Sequence, residues 1–409
     1  MTFFRRIDIA LPLKLFLAGA LLATLLSPAP SAGQSQPTLT WQGEIRPRLL
    51  GREPVGGKWD HWVSMRTRVG LDARIEPGLG LFIQIQDVRF WGEEVTHRDR
   101  SADAVDFHQA YLEVDSLPGI GGLIRAGRQE VTLAEGRFIS APDWGQAGQS
   151  FDGILWTRPT RGARVDLAYL RLREGSSTSH EYSADMMAAW LALPVEGLGA
   201  LDLLAIRDRT GESEGHGQST AGSILKMTFG DLSFRLQGMY QFGERHGVDV
   251  SAYMLAARGS LAVLEEKGSV TFWYDHLSGD EDPADDEVQV FSTLFGSRHR
   301  YYGRADYFLN IPDDTRGLGL RDAAVKFAFT PSPLLSLNLD LHTFHTSEQG
   351  PFSSQHLAKE ADLWIQYRFR EALHLEVGYA LTWAGTAMEE MGRLEGTGNT
   401  GYLMTSVRF

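Results

Sequence analysis

Apolar and polar residues alternate along several long segments of this chain. In the clearest, from Trp62 to Ile75, Val63 and every second residue after it are mostly apolar, whereas Ser64 and every second residue after it are mostly polar or charged. A period of two predicts a strand with two different faces, and this length is about what a tilted strand needs to cross a bilayer. The same pattern predicts strands at 232–242, 335–341 and 361–369.

Connections of two kinds separate these segments. Short turn signals occur at 76–78, 116–119, 194–197 and 330–333, all with Pro and most with Gly. Longer polar segments lie near 92–104, 132–150, 208–218, 278–300 and 385–398. This alternation is typical of an all-β transmembrane barrel with short periplasmic turns and long external loops. At about 20 residues per strand and connection, we expect about 16 to 18 antiparallel strands, with 18 favoured, in a single domain.

The two ends of the chain agree with an exported barrel. Arg5, Arg6 and Lys14 precede an apolar run at 15–26 and then small residues and prolines, which predicts a secretory signal at 1–33. That run is shorter than the roughly 20 residues of a spanning helix. The last segment alternates and ends in Phe409, as a closing strand does at a barrel rim. We therefore expect Sec-type export, signal cleavage, and a barrel at 34–409 among the lipids of a Gram-negative outer membrane.

Composition narrows the possible functions. The chain has no Cys, which excludes disulfides and Cys-based metal sites, and nothing in it calls for a cofactor. Loss of the signal removes three basic residues and one acidic residue, so the formal net charge goes from −13 to −15. Nucleic acid is an unsuitable partner for such an acidic chain, because its binding needs a basic surface.

Three groups of motifs resemble a known family. They are 86–92 with 108–114; 127–131 with 136–138, 143–144 and 150–153; and 278–280 with Phe291, 294–295, 301–303 and Asp306. In this order, on an exported barrel, they resemble the alginate export family of outer-membrane porins. The chain departs from the family pattern at Gln149, where Arg usually precedes Ser-Phe-Asp-Gly. The resemblance implies a monomeric barrel whose cationic lumen conducts a polyanionic exopolysaccharide outward, with a periplasmic scaffold protein as a partner.

Basic residues on the polar faces of the strands are the candidate binding residues for an anionic cargo. Guanidinium groups bind carboxylates with forked geometry, and weak binding at many points lets a polymer advance. The candidates are Arg46, Arg48, Arg66, Arg68, Arg74, Arg89, Arg125, Arg128, Arg235, Lys326 and Arg368. The alternative is that these residues pair with Glu44, Asp72, Glu113, Asp152 and Asp362 and only brace the wall.

Two long loops are candidate gates. Residues 132–150, with Arg137, Asp143 and Trp144, form one, and the acidic segment 278–300 forms the other. The carboxylates Asp280, Asp282, Asp285 and Asp286 are typical of a solvated loop; calcium binding is the alternative, although the EF-hand spacing is missing.

Two other functions compete with polymer export. A small-solute or general diffusion porin conducting small anions would share every architectural feature above. An outer-membrane hydrolase is the second alternative, but the chain contains no Gly-x-Ser-x-Gly and no His-Glu-x-x-His. We therefore expect a passive channel and no enzyme.

Overall fold

The computed structural model describes residues 37–53, 58–92, 105–160, 162–173, 184–209, 217–245 and 247–409. The predicted signal at 1–33 lies outside these residues, as do most of the predicted loops at 92–104 and 208–218. None of the helices in the described ranges is long and apolar enough to span a membrane. The helical elements there are α1 (Thr386–Glu390) and two 3₁₀ turns, Ala134–Gly136 and Asp313–Thr315.

Within the described residues, nineteen strands form one continuous sheet. The first nine are β1 (Thr38–Arg52), β2 (Asp60–Glu76), β3 (Leu79–Phe90), β4 (Asp106–Asp115), β5 (Leu123–Gln129), β6 (Phe151–Thr160), β7 (Ala163–Arg173), β8 (Ala184–Val195) and β9 (Gly199–Arg209). The other ten are β10 (Gly217–Phe229), β11 (Leu232–Arg245), β12 (Val248–Val263), β13 (Gly268–Leu277), β14 (Glu287–Val288), β15 (Leu320–Ser332), β16 (Leu335–His345), β17 (His356–Arg368), β18 (Leu373–Ala384) and β19 (Thr397–Arg408).

The sheet closes on itself. Each strand pairs antiparallel with the next along the chain, and β19 pairs with β1 from Glu44 and Arg408 to Arg52 and Thr400. The exception is the two-residue strand β14, which pairs in parallel with β12 while β13 pairs directly with β15. The described chain is therefore an antiparallel barrel of 18 strands with one short strand outside it, which confirms the predicted fold and the favoured strand number.

The two faces of the wall reverse the pattern of a soluble protein. On β2 the inward residues Ser64, Arg66 and Arg68 are buried, Arg66 being only 1% exposed. On the outer face of β13, Phe272 is 65% exposed. An apolar outer band around a polar interior is what a bilayer requires of a barrel, because only internal polar groups find partners. The faces predicted for β2 and β11 are confirmed.

The connections define the two ends of the barrel. Short turns follow β2, β4, β8 and β15 at the predicted sites, all at one end of the barrel. Short turns are typical of the periplasmic end. The N-terminal end of β1 and Phe409 lie at this same end. The backbone of Phe409 exchanges hydrogen bonds of 2.8 and 3.1 Å with Gly43. Its ring lies over Gly43, where a Cβ atom would collide with it. The terminal aromatic thus closes the seam between β19 and β1.

Two long connections from the external end form an apolar core of their own. We name residues 130–150 loop A and residues 278–319 loop B. The fully buried side chains of this core include Val131, Leu133, Phe138 and Ile139 from loop A, and Phe291, Tyr301, Tyr302 and Phe308 from loop B. This core lies against inward residues of β12, β13 and β15, such as Met254, Leu277 and Leu320.

Candidate pore

Loop A crosses the lumen from one wall to the other. At one side Asp143 contacts Arg46 on β1 and Arg66 on β2. At the other, Glu135 contacts Arg235 on β11, and Arg137 contacts Asp275 on β13. Because β1 and β11 are ten strands apart in a ring of 18, these contacts lie on nearly opposite walls. The predicted gating segment is therefore inside the barrel.

Asp143 is the centre of the first attachment. Its carboxylate lies 3.1 Å from Arg46 Nη1, 2.6 Å from Arg66 Nη2 and 3.1 Å from Arg408 Nη2, yet its side chain is 56% exposed. Burial alone would raise the pKa of Asp143, but Arg46 and Arg66 outweigh it and hold the pKa below its ordinary value. Asp143 also lines three adjoining lumen cavities, of about 730, 450 and 330 Å³. We call this contact the wet attachment.

The other cations of this wall are also occupied by loop A. Arg46 donates to Gln146 Oε1 at 3.1 Å and to the Gly145 carbonyl at 3.0 Å. Arg48 donates to the Trp144 carbonyl at 2.7 Å, and its guanidinium lies 4.4 Å from the Trp144 ring centroid. Arg68 and its neighbour His108 both contact Glu130, at 3.2 and 2.8 Å. Arg46, Arg48 and Arg68 therefore contact loop A, whereas the bracing alternative paired the wall cations with carboxylates such as Glu44 and Asp72.

Arg137 is the centre of the second attachment. The Arg137 and Asp275 side chains, 1% and 0% exposed, form an ion pair, and Arg137 also donates to the Tyr302 hydroxyl at 2.9 Å. The guanidinium lies 4.3 Å from the Tyr301 ring centroid. Burial alone would lower the pKa of Arg137, but Asp275 raises it above the ordinary value. We call this contact the dry attachment.

Loops A and B are joined to each other. The Trp144 ring stacks on His299 at 3.8 Å, and its Nε1 donates to Asp306 at 2.8 Å. Gln149, the departure from the family pattern, donates to the Ser140 carbonyl at 2.8 Å and the Phe295 carbonyl at 3.1 Å, and so links the loops. Gly296 permits this approach, because a Cβ there would lie 1.9 Å from the Arg137 carbonyl oxygen.

A cavity of about 730 Å³ lies beside these loops, and we call it the central cavity. Its basic lining residues include Arg258, Arg300, Arg304 and Lys326, and its acidic ones Asp143, Asp340, Asp362 and Glu376. Arg258 lies 3.3 Å from the Trp273 ring centroid, and Arg304 lies 3.7 Å from that of Trp364. Nε and Nη2 of Arg258 have no hydrogen-bond partner among the described residues.

The sequence predictions missed Arg258, Arg300 and Arg304. Arg258 is directly opposite Trp273 in the register of β12 and β13. The sequence did offer one signal for Arg258: it is a basic residue opposite a Trp, with both residues on the polar faces of two consecutive strands. Arg300 and Arg304 lie in loop B and obey no strand periodicity, so the sequence gives no indication that they enter the lumen.

The remaining predicted cations divide into two groups. Arg74 and Arg125 both pair with Glu113, Lys326 pairs with Asp340 at 2.6 Å, and Arg368 lines the cavity of about 450 Å³. Two further predictions need correction, because cross-strand pairing places Arg89 and Arg128 on the outer face. Arg89 is opposite the outward Met65 and pairs with Asp87 at 2.7 Å; Arg128 pairs with the exposed Asp152 at 3.0 Å.

The acidic segment of loop B binds its own backbone. Asp282 accepts from the Ala284 N–H at 3.2 Å, Asp285 accepts from the Glu287 N–H at 2.9 Å, and Asp280 is buried. In the part of the chain that the structure describes, no three acidic or His side chains are grouped to hold a metal ion. The calcium alternative for Asp280, Asp282, Asp285 and Asp286 thus gains no support from the geometry.

Comparison with known proteins agrees with this architecture. OpdO of Pseudomonas aeruginosa is 15% identical, with a TM-score of 0.62 over 91% of this chain and 97% of that one. The outer membrane protein OprD of the same organism is 13% identical, with a TM-score of 0.62 over 91% and 94% of the two chains. These similarities concern the fold. None of the curated proteins matches the chain. A family model described as alginate export matches residues 53–398, and the chain, an outer-membrane channel, belongs to that family.

Proposed function

We propose that this channel conducts a carboxylated, alginate-like exopolysaccharide outward through the central cavity. The observation that carries the proposal is Arg258, which lines the cavity and whose buried Nε and Nη2 have no hydrogen-bond partner among the described residues. A cation fixed against Trp273 in a site of low dielectric attracts a carboxylate more strongly than the same cation in water. Family membership over residues 53–398 supports the same cargo class.

Weak binding is part of the proposal. Asp340, Asp362 and Glu376 line the same cavity as Arg258, Arg300 and Arg304 and reduce its net positive charge. A cargo carboxylate would therefore be attracted at each cation without being trapped, as conduction through successive sites requires. The lining residues all belong to one barrel, so we propose that the monomer conducts, with a periplasmic scaffold protein delivering the polymer.

Loop A would move during conduction. The wet attachment at Asp143 is half exposed and electrostatic, whereas the dry attachment at Arg137 is buried. We propose that the end of loop A near Asp143 leaves the arginines of β1 and β2 and that the polymer carboxylates replace it there. The loop would thus limit leakage of small solutes when no polymer is present.

Reversal potentials across a planar bilayer under a salt gradient test the anion preference. We expect the unmodified channel to prefer anions despite its acidic composition, because the local field in the pore outweighs net charge. Arg258→Gln with Arg300→Gln should reduce that preference by about threefold. Arg128→Gln removes an outward Arg and serves as the matched control. Cation selectivity of the unmodified channel would contradict the proposal.

Secretion by a producing strain tests the polymer itself. The Arg258→Gln and Arg300→Gln pair should reduce the polysaccharide released into the medium while the assembled barrel stays at its normal level in the membrane. Normal secretion by that strain, with altered ion selectivity of the purified channel, would favour the second candidate function.

That second candidate is a porin for small anions. It is favoured by one observation: with loops A and B in the lumen, the central cavity has a volume of about 730 Å³, which suits a small solute better than a polymer chain. Uptake of small carboxylates into liposomes that carry the channel would distinguish the two. If the channel is a porin for small anions, uptake is rapid with loop A in place and is unaffected by substitution of Asp143.

A further inference from the structure

The outer wall carries a row of charges that the pore does not use. Cross-strand pairing places Arg128, Asp152, Arg171, Asp185 and Arg209 directly opposite one another on β5 to β9. Arg128 pairs with Asp152 at 3.0 Å, and Arg171 pairs with Asp185 at 2.9 Å. The row thus alternates in sign and has one more cation than anions.

Arg209, the last residue of this row, lies at the external boundary of the membrane. Gly199 and Arg209 are the two ends of β9, ten residues apart. At about 3.3 Å per residue and a tilt of about 40°, they are about 25 Å apart along the membrane normal, the height of the apolar band of such barrels. Because Arg209 is at the end of the long loops, it faces the headgroups of the outer leaflet.

Arg207 brings a second cation to the same height. It is one outward position below Arg209 and exposed, and its Nη1 donates to Ser219 Oγ at 3.0 Å. A Cβ atom at Gly217 would lie 2.1 Å from Arg207 Nη2, so the guanidinium extends along the wall toward the external end of β10. No carboxylate of the described residues lies within ion-pair distance of Arg207, and Asp185 is already held by Arg171 and Tyr169.

An apolar groove lies directly below Arg207. Ala189, Ala205 and Ala221 are opposite one another on β8, β9 and β10 and form its floor. Leu167 and Met187 on one side and Phe242 on the other are its walls, and its volume is about 660 Å³. Small residues between large ones leave a channel along the wall that a flexible hydrocarbon chain can fill with close contact.

We propose that β7 to β10 bind one molecule of lipid A, the phosphorylated and acylated glycolipid of the outer leaflet. A phosphate lies at Arg207 and Arg209, and an acyl chain fills the groove over Ala189, Ala205 and Ala221. Guanidinium groups pair with phosphate through forked hydrogen bonds, and an Arg on a lipid-facing wall is less costly with an anion beside it. Charge and shape here select an acidic headgroup and a hydrocarbon tail together.

Titration of the full-length detergent-purified barrel with bisphosphorylated lipid A, read by native mass spectrometry, tests this site. One lipid should bind, and about thirtyfold more tightly than chemically dephosphorylated lipid A, since two basic residues act on the phosphate. Arg207→Gln with Arg209→Gln should abolish that preference. Ala205→Phe, which fills the groove, should weaken both lipids. Arg158→Gln, an outward Arg at the periplasmic end of β6, is the matched control and should change neither.

Several results would overturn the proposal. One is equal affinity for the phosphorylated and dephosphorylated lipids. Another is an undiminished preference for the phosphorylated lipid in the Arg207 and Arg209 double variant. The third is equally tight binding of phosphatidylglycerol, which would show that the site does not select lipid A. The proposal stays testable even if the double variant misfolds. The comparison of the two lipids uses the unmodified protein, and Ala205→Phe leaves both arginines in place.

Discussion

The two attachments of loop A have similar chemistry and opposite surroundings. Asp143 meets Arg46 and Arg66 with a side chain that is 56% exposed, whereas Arg137 meets Asp275 with both side chains almost fully buried. Arg46 and Arg66 are themselves 2% and 1% exposed, so the wet attachment is open to water only on the side of Asp143. A fully exposed ion pair contributes about 0 to 1 kcal/mol and is weakened by salt, because water solvates the separated charges well. Breaking a buried pair leaves a charge in the protein interior and costs about 3 to 5 kcal/mol.

This difference supports the proposed role of each end of the loop. The dry attachment is surrounded by Tyr301, Tyr302 and the apolar core of the two loops, so the charges have no solvent to replace their partners. The wet attachment lines the lumen cavities, where ions or a cargo carboxylate can take the place of Asp143. A loop fixed at one end and exchangeable at the other is suited to opening without unfolding.

The largest effect is expected at the dry attachment. Arg137→Met leaves the Asp275 carboxylate buried without its cation, and we expect a loss of about 3 to 5 kcal/mol in the free energy of unfolding. Urea unfolding followed by heat-modifiable gel migration measures it. The control is the double variant Arg137→Met with Asp275→Leu, which removes both charges and should recover most of the stability. Equal loss in the single and double variants would contradict this role.

A smaller effect is expected at the wet attachment. Asp143→Asn keeps the shape of the side chain and removes its charge, so three arginines lose their shared anion. A loss of about 1 kcal/mol would raise the open population about fivefold, with unfolding unchanged. Single-channel recording in a planar bilayer gives the open probability. Asp285→Asn, in the exposed part of loop B, is the control; an increase of the same size there would show that the effect is not specific to Asp143.

The barrel was predictable because its physical cause is local. A period of two on β2 and β11 places alternate residues on opposite faces whatever the neighbouring strands do, so the inward positions of Arg66, Arg68 and Arg235 followed from the sequence alone. The prediction was wrong for Arg128 because β5 is short and both its faces begin with an apolar residue, Leu123 and Ile124. It was wrong for Arg89 because β3 pairs with β2 without a register shift from Ile85 to Arg89, so Arg89 shares the outward face of the exposed Ile85.

The pore lining was not predictable because its causes are distant contacts. The strand pattern placed Arg46 inside the lumen. It could not indicate that Asp143, 97 residues away in sequence, would contact the Arg46 guanidinium. Loop B brings Arg304 to Trp364 and Asp362 through contacts that no periodicity encodes. The motifs containing Arg137, Asp143 and Trp144 indicated loop A, but they could not indicate that Arg137 would be buried and Asp143 exposed.

The smallest expected effect is a pH dependence of the wet end, through His299. This ring stacks on Trp144, and its Nδ1 contacts Asp306 at 2.6 Å; Arg304 is its other charged neighbour, with Glu376 nearby. Burial lowers the pKa of His299 below its ordinary value of about 6.5, and Asp306 offsets this only in part. His299 therefore binds a proton more readily when Trp144 of loop A has left it than when Trp144 is stacked on it.

The sign of the effect follows from that shift. Docking of Trp144 on His299 has its full stability above about pH 6.5, and it loses stability as the pH falls below that value, since the released state gains the proton more readily than the docked state. We expect the open probability to rise about twofold between pH 7.5 and pH 5.5. Asp143, with its lowered pKa, remains ionised over that range, so the arginine contacts stay constant. His299→Gln should flatten the profile, and a profile that survives this change would assign the pH dependence to another group.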